Sequence, residues 1–270
     1  MTGTLSPIAP GVYAWLTHHE SASDTNSGIV IAQDGITVID AGPTPHPSNA
    51  LAASIAELTE LPIRRLALSG SHIDVCGGST AFPLAAVYGS AQTSHHLDQD
   101  PNPAVWERLH PGHDFADVST RPVTHTVTEP AHLCPASIAI PVGGPQFENL
   151  VVQVPSANVV FAGCAAVFGQ PPLAYDADIP RWIDTLEQMK AWGEIIVPAH
   201  GPVGGHEEVA LLQAYLEACI AARGDVSRMS RGAWDTWKHQ EFTAVNVERA
   251  AMLEAGDPAP PPSLLAMIND

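Results

Sequence analysis

The sequence predicts an α/β fold, and three observations carry that prediction. Apolar strand-like runs alternate with helical patterns in the order strand, loop, helix, strand, which is α/β in character. The body reads as two β-rich halves, residues 11–90 and 122–200. Each half ends in a strand whose exit loop carries polar residues. The 270 residues suit one large α/β domain with an appendage.

The first half opens with strands at 11–15, 27–31 and 36–40. The turn Gln33-Asp34-Gly35 joins the last two as a hairpin. Ser48 is positioned to cap a helix that stops before Pro62. A buried strand from Ile63 to Ser69 leads into the loop Ser71–Gly78, followed by a short helix from Gly77, a strand at Leu84–Tyr88 and a helical stretch at Ala91–Leu97. Residues 100–120, rich in Pro, Asp and His, read as a surface excursion. The second half offers strands at 123–127, 138–142, 150–154 and 159–162. Asp178 and Pro180 then open a helix by capping logic, and Glu194–Val197 is the last strand. From His206 the pattern is helical, with a second helical segment at Trp234–Leu253 and a proline-rich tail expected to be exposed.

Composition narrows the function. Twenty-nine acidic residues against 11 basic ones give a formal net charge of −18. Such a field repels phosphate backbones and anionic lipid, so neither nucleic acid nor membrane is an expected partner. A small-molecule substrate is, whereas no pattern fixes an oligomeric state. The start of the chain lacks the basic and apolar segments of a leader, and no apolar run reaches spanning length. Cys76, Cys134, Cys164 and Cys219 show no disulfide framework, so free thiols in a reducing cytoplasm are expected.

Three strand-like runs end in a metal-competent side chain: Asp74 in L-A-L-S-G-S-H-I-D-V-C-G-G (66–78), Cys164 in N-V-V-F-A-G-C (158–164) and His200 in E-I-I-V-P-A-H-G (194–201). A carboxylate, a thiolate and an imidazole from three strand ends suit one Zn²⁺. Zinc accepts O, S and N donors in a tetrahedron and keeps a fourth position for water when catalytic.

The residues V-I-D-A-G (38–42), S-G-S-H-I-D-V-C-G-G (69–78), V-V-F-A-G-C (159–164) and P-A-H-G (198–201) occur in an order that resembles the metallo-β-lactamase superfamily. The resemblance implies a four-layer αββα sandwich over residues 1–205, with 206–270 as a C-terminal helical extension and tail packed on it. It also implies a hydrolase with metal ligands on loops at one edge of the two sheets. The family's loop is typically H-x-H-x-D-H-x-G-G. Here Gly70 and Val75 stand in place of its first and last histidines, and the run 143–152 supplies no third histidine. Of the three-histidine pocket only His72 is kept. The second pocket matches the Asp-Cys-His zinc site of the zinc β-lactamases through Asp74, Cys164 and His200. Val167 replaces the lysine with which those lactamases grip the substrate carboxylate.

The resemblance therefore implies a hydrolase using one zinc to activate water against an ester, lactone, thioester or amide carbonyl. Asp74 serves it as ligand and catalytic group, His72 moves the proton, and Asn149 occupies the place of an amide donor to the developing oxyanion. Asp40 is expected to orient the ligand loop. Two alternatives stand beside this reading. One is a metal-free enzyme with Cys164 as nucleophile, His200 as base and Asp74 as orienting acid. The other is a non-catalytic binding protein on a scaffold whose metal site has decayed.

Overall fold

Two twisted sheets lie face to face in the structure, a computed structural model that describes residues 3–18, 23–99 and 102–269. Among these residues, the larger sheet runs in sequence order through β1 (Thr4–Ala9), β2 (Val12–Leu16), β3 (Ser27–Ala32), β4 (Gly35–Ile39), β5 (Ile63–Ala67), β6 (Ala86–Gly89) and β7 (His125–Thr126). Its first three pairings are antiparallel, and those from β4 to β7 are parallel. The smaller sheet is built from β8 (Ala131–Cys134), β9 (Ser137–Val142), β10 (Asn149–Val154), β11 (Val159–Val167) and β12 (Ile195–His200). Here β11 and β12 pair in parallel, and the other pairings are antiparallel.

The parallel pairings require crossovers, and helices supply them. One is α1 (Pro45–Leu58), which buries Leu51 and Ile55 against the outer face of the larger sheet, on Ile36, Val38 and Leu66. Another is α5 (Ile179–Trp192), whose Ile179, Trp182, Leu186 and Met189 form a single stripe at helical spacing. That stripe packs with Leu212 and Leu216 of α6 (His206–Ala221) on the outer face of the smaller sheet. Between the sheets, Ala14, Val30 and Ala67 of one meet Leu150, Val152, Phe161 and Val197 of the other. Each fully buried large side chain of this kind contributes about 1.5–3 kcal/mol. The result is the αββα sandwich expected from the sequence.

The caps explain where the helices begin. Asp178 accepts from the Arg181 amide at 3.1 Å and starts α5. Glu208 accepts from the Gly205 amide at 2.8 Å and starts α6. Ser90 does the same for Thr93 and starts α3 (Ala91–Leu97). Ser48 does not cap. It lies inside α1, which starts four residues earlier than expected with prolines at its first and third positions, and its hydroxyl donates to the Ala41 and Thr44 carbonyls. The short helix expected from Gly77 takes the form of a 3-10 turn at Ser79–Ala81, and a single-turn helix, α2 (Ile73–Cys76), precedes the two glycines. Strands β1 and β8 carry weak alternation and were not expected from the sequence; β7 is shorter than expected.

The excursion at 100–120 runs largely over the surface as expected, with residues 100 and 101 outside the described set. It contains α4 (Pro103–Leu109), a surface helix whose C-terminal end turns inward. Leu109 is buried with Val245 of α7 (Phe242–Glu254) and Leu264 of α8 (Pro262–Asn269). The tail is exposed over 254–260, and Pro261 is buried as the chain returns into α8. Among the described residues no helix is long and apolar enough to cross a membrane.

Candidate active site

The strand ends converge at one edge of the sandwich. Asp74 sits on the single turn of α2, directly after β5 and its exit loop. That turn is held down by backbone bonds from Ala41 to Val75 and from Gly78 to Gly42. Gly77 and Gly78 are required here, because a Cβ on either would run into the backbone of Pro43 or Thr44. His200 is the last residue of β12, opposite Val167 of β11. Cys164 lies on β11 just after Gly163, whose φ is +50°. A side chain at 163 would strike Ser69 and Asp40, so this glycine lets β11 press against the loop that leads to Asp74.

A loop between β2 and β3 fixes both partners, and sequence reasoning missed it. Asn26 donates its side-chain amide to the carbonyls of Pro198 (3.1 Å) and Gly201 (2.8 Å), clamping the end of β12. The Thr25 hydroxyl donates to the Asp74 carbonyl at 2.7 Å. The Asp24 carbonyl meets Nδ1 of His200 at 3.1 Å. The available signal was the polar run Asp24-Thr25-Asn26 immediately before a hydrophobic strand, all of it buried.

His200 Nε2 lies 2.8 Å from Asp74 Oδ2, and both side chains are buried. A carbonyl only accepts, so Nδ1 of His200 carries a proton for Asp24. In a neutral ring Nε2 is then a bare lone pair facing a carboxylate oxygen. Two lone pairs do not approach that closely unless a cation, either a proton or a metal ion, is shared between them. Burial pushes the Asp74 carboxyl up, but the bond and charge of His200, helped by His72 and His110, bring it below the usual carboxylate range. The second oxygen, Asp74 Oδ1, is buried without a hydrogen-bond partner among the described residues.

Asp74, His200, Cys164 and His72 line one small cavity of about 30 Å³, with Trp106, His110 and Phe242 among its other walls. The structure thus brings the sequence-predicted residues to one place, but not into one cluster. Among the described residues no three His, Cys, Asp or Glu side chains form a group able to hold a metal. The Cys164 thiol packs against Val75 and Ala199. Burial, with Asp74 and Asp40 nearby, drives its pKa well above the ordinary thiol value. His72 stacks on Tyr175 with ring centroids 5.5 Å apart, and burial holds it neutral-leaning by lowering its pKa. Its Nε2 has no hydrogen-bond partner among the described residues.

Asn149 stands elsewhere. It is fully buried beside Gly70, donating to the Ser69 carbonyl at 3.0 Å and accepting from the Gln146 amide at 3.2 Å. It is not among the cavity walls, so the expected amide donor to an oxyanion has no geometric support. Gln146, unmarked in the sequence, occupies the ground beside Gly70 instead. Its carboxamide accepts from the Ser71 amide at 2.8 Å and donates to the Ser71 hydroxyl at 2.6 Å. Asp40 takes its expected bracing role. It accepts from the Ser69 amide and hydroxyl, both at 2.7 Å, and the same hydroxyl accepts from the Cys164 amide at 3.0 Å. Cys76 is buried and donates its thiol to the Ser71 carbonyl, a packing role.

Fold and site together define a two-sheet αββα scaffold with a buried Asp–His pair at one edge. Residues 22–212 match the metallo-beta-lactamase superfamily, and the chain belongs to it. A curated relative, the metallo-beta-lactamase type 2 of Bacteroides fragilis, is 33% identical over 86 residues, 28% of this chain and 34% of that protein. Only about a third of that relative's length is therefore spanned. Among solved structures, a metallo-beta-lactamase from Hirschia baltica superposes with a TM-score of 0.63 at 17% identity, covering 79% of this chain and 97% of the other. The metallo-beta-lactamase FIM-1 from Pseudomonas aeruginosa, in a mono-zinc form, gives 0.61 at 20% identity, covering 79% and 95%. At these identities the likeness establishes the fold.

Proposed function

We propose that this chain is a hydrolase with its centre at Asp74 and His200, holding one zinc ion, with Cys164 as the third ligand. The observation that carries the reading is the His200 tautomer. A ring whose Nδ1 proton is fixed by a backbone carbonyl presents Nε2 as a ligand, the usual arrangement around protein-bound zinc. The unpartnered Asp74 Oδ1 adds a second donor. Two donors are in hand, and the thiol stands in the wall of the same cavity.

Bound zinc would supply a water whose pKa falls from 15.7 to about 7. The protein's part is separate. Asp24, Thr25 and Asn26 hold His200 and Asp74 in register. His72, buried and neutral, accepts the proton of the attacking water at Nε2 and returns it to the leaving group. The apolar walls exclude bulk water. The substrate is an ester, lactone, thioester or amide. The thiol alternative ranks below this reading, because the His200 ring bonds to Asp74 and Asp24 rather than to the Cys164 thiol.

The test is metal content and turnover of the full chain. About one zinc per chain is expected, lost in Asp74→Asn and His200→Ala, together with hydrolysis of at least one member of an ester, lactone, thioester and amide panel. Absence of both zinc and turnover would overturn the proposal. It would favour a second reading, a non-catalytic binding protein, which draws on the lack of a three-donor group and on Gln146 filling the ground beside Gly70.

A further inference from the structure

Resting on the hydrolase reading, the geometry points to His110 as a substrate-binding residue and to a small uncharged acyl group as what the cavity takes. His110 closes α4 and is 4% exposed, yet neither ring nitrogen has a hydrogen-bond partner among the described residues. It lines the same cavity as Asp74 and His200. A buried imidazole with both nitrogens unmatched is costly unless something completes it.

The ring is held rigidly for such a role. It stacks on Trp106 at 5.5 Å with 9° between planes, and the Phe242 ring meets it edge-on at 5.9 Å. Leu109 beside it is locked by Val245 and Leu264, and Arg108 donates to the Ile268 carbonyl at 2.6 Å. The C-terminal helices therefore fix where His110 points. Burial lowers its pKa to about 4, so at neutral pH it offers one N–H and one lone pair rather than a charge.

The remaining walls set the ligand's class. A cavity of about 30 Å³ lined by Trp106, Phe242, Pro172 and Leu173 has space on the order of one or two waters, and so for a short acyl chain only. No lysine or arginine stands among the lining residues, and Asp74 is the one acidic group there. Apart from the zinc proposed on Asp74 and His200, these walls offer a carboxylate-bearing acyl group no cationic side chain to pair with. A neutral acetyl or propionyl carbonyl would instead accept the His110 N–H.

The full chain is assayed with phenyl acetate, phenyl hexanoate and phenyl hydrogen succinate. Phenyl acetate is expected to lead in kcat/KM by about tenfold or more. His110→Phe keeps an aromatic ring for Trp106 and Phe242. It should raise KM for phenyl acetate roughly tenfold, the effect of one buried hydrogen bond, with kcat little changed. Equal or better use of the hexanoate or succinate ester, or unchanged kinetics in His110→Phe, would overturn the inference. A second measurement separates this from failure of the hydrolase reading. Acetamide should shift the His110 ring ¹⁵N resonances saturably, and succinamate should not. That shift without turnover of any ester retires the hydrolase and keeps the pocket, whereas no shift retires the inference whatever the turnover.

Discussion

The carboxamide of Gln146 stands where a side chain on Gly70 would begin. A Cβ built at position 70 collides with Gln146 Oε1 and comes within 3.0 Å of Asn149 Nδ2 and 3.3 Å of Cys164 Sγ. The place of the superfamily's first histidine is thus closed by another residue's polar end, itself tied to Ser71. Gly70→His is expected to destabilise the fold by about 1–3 kcal/mol through overpacking. Gly70→His with Gln146→Ala should recover part of that loss, as read from urea denaturation midpoints. Equal midpoints for the single and double variants would show that Gln146 is not the obstacle.

Asp74 and His200 allow a sharper substitution. In Asp74→Asn the amide N–H can donate to the His200 lone pair, so the pair survives without a shared cation. Stability should change by less than about 1 kcal/mol, while zinc binding and turnover are lost. Asp74→Ala leaves Nε2 of His200 without its partner in a buried place and should cost about 3 kcal/mol. Thermal or urea unfolding of the two variants, set beside metal content, checks the contrast.

Asp40 gives stability a pH dependence. Burial raises its carboxyl to about 7, against the bonds it accepts from Ser69. The folded state thus holds this proton more tightly than the unfolded chain. The stability so gained is fully present below the ordinary value of 3.8 and is lost as pH rises through about 7. Between those limits the wild type should lose up to about 1.4 kcal/mol per pH unit relative to Asp40→Asn. Parallel stability–pH curves for the two proteins would refute this.

Phe242 joins the C-terminal helices to the cavity. It is buried against His110 and forms part of the cavity wall. Phe242→Ala should cost about 3–5 kcal/mol and loosen α4 together with α7. Hydrogen exchange should show the two helices opening together. Faster exchange confined to α7 would argue that α4 is held by other contacts.

Much of this was legible in the chain, for identifiable reasons. The ends of β5, β11 and β12 could be found because each apolar run stops at a polar residue and a glycine. The meeting of Asp74 with His200 followed from that shared setting. The burial of His110 was not legible, because Pro103 and a cluster of Asp and His made its neighbourhood read as loop. The distant Val245 and Leu264 help to turn α4 inward. Asn149 misled for the opposite reason. Its position along the strand resembled a functional one, but the glycine at 70 let Gln146 and Asn149 fold into the gap and bond to backbone. Contacts of this kind depend on which small residue faces which long one across the sandwich, and spacing along the chain does not record that.

Asp74 hangs from the larger sheet and His200 from the smaller, whereas Cys164 and His200 sit on neighbouring, laddered strands of one sheet. The bond between the first two therefore spans the seam of the molecule. Any slippage of one sheet over the other would part that acid from its imidazole before it disturbed the thiol. High pressure or mild denaturant should accordingly silence this centre while both halves still keep their own backbone order.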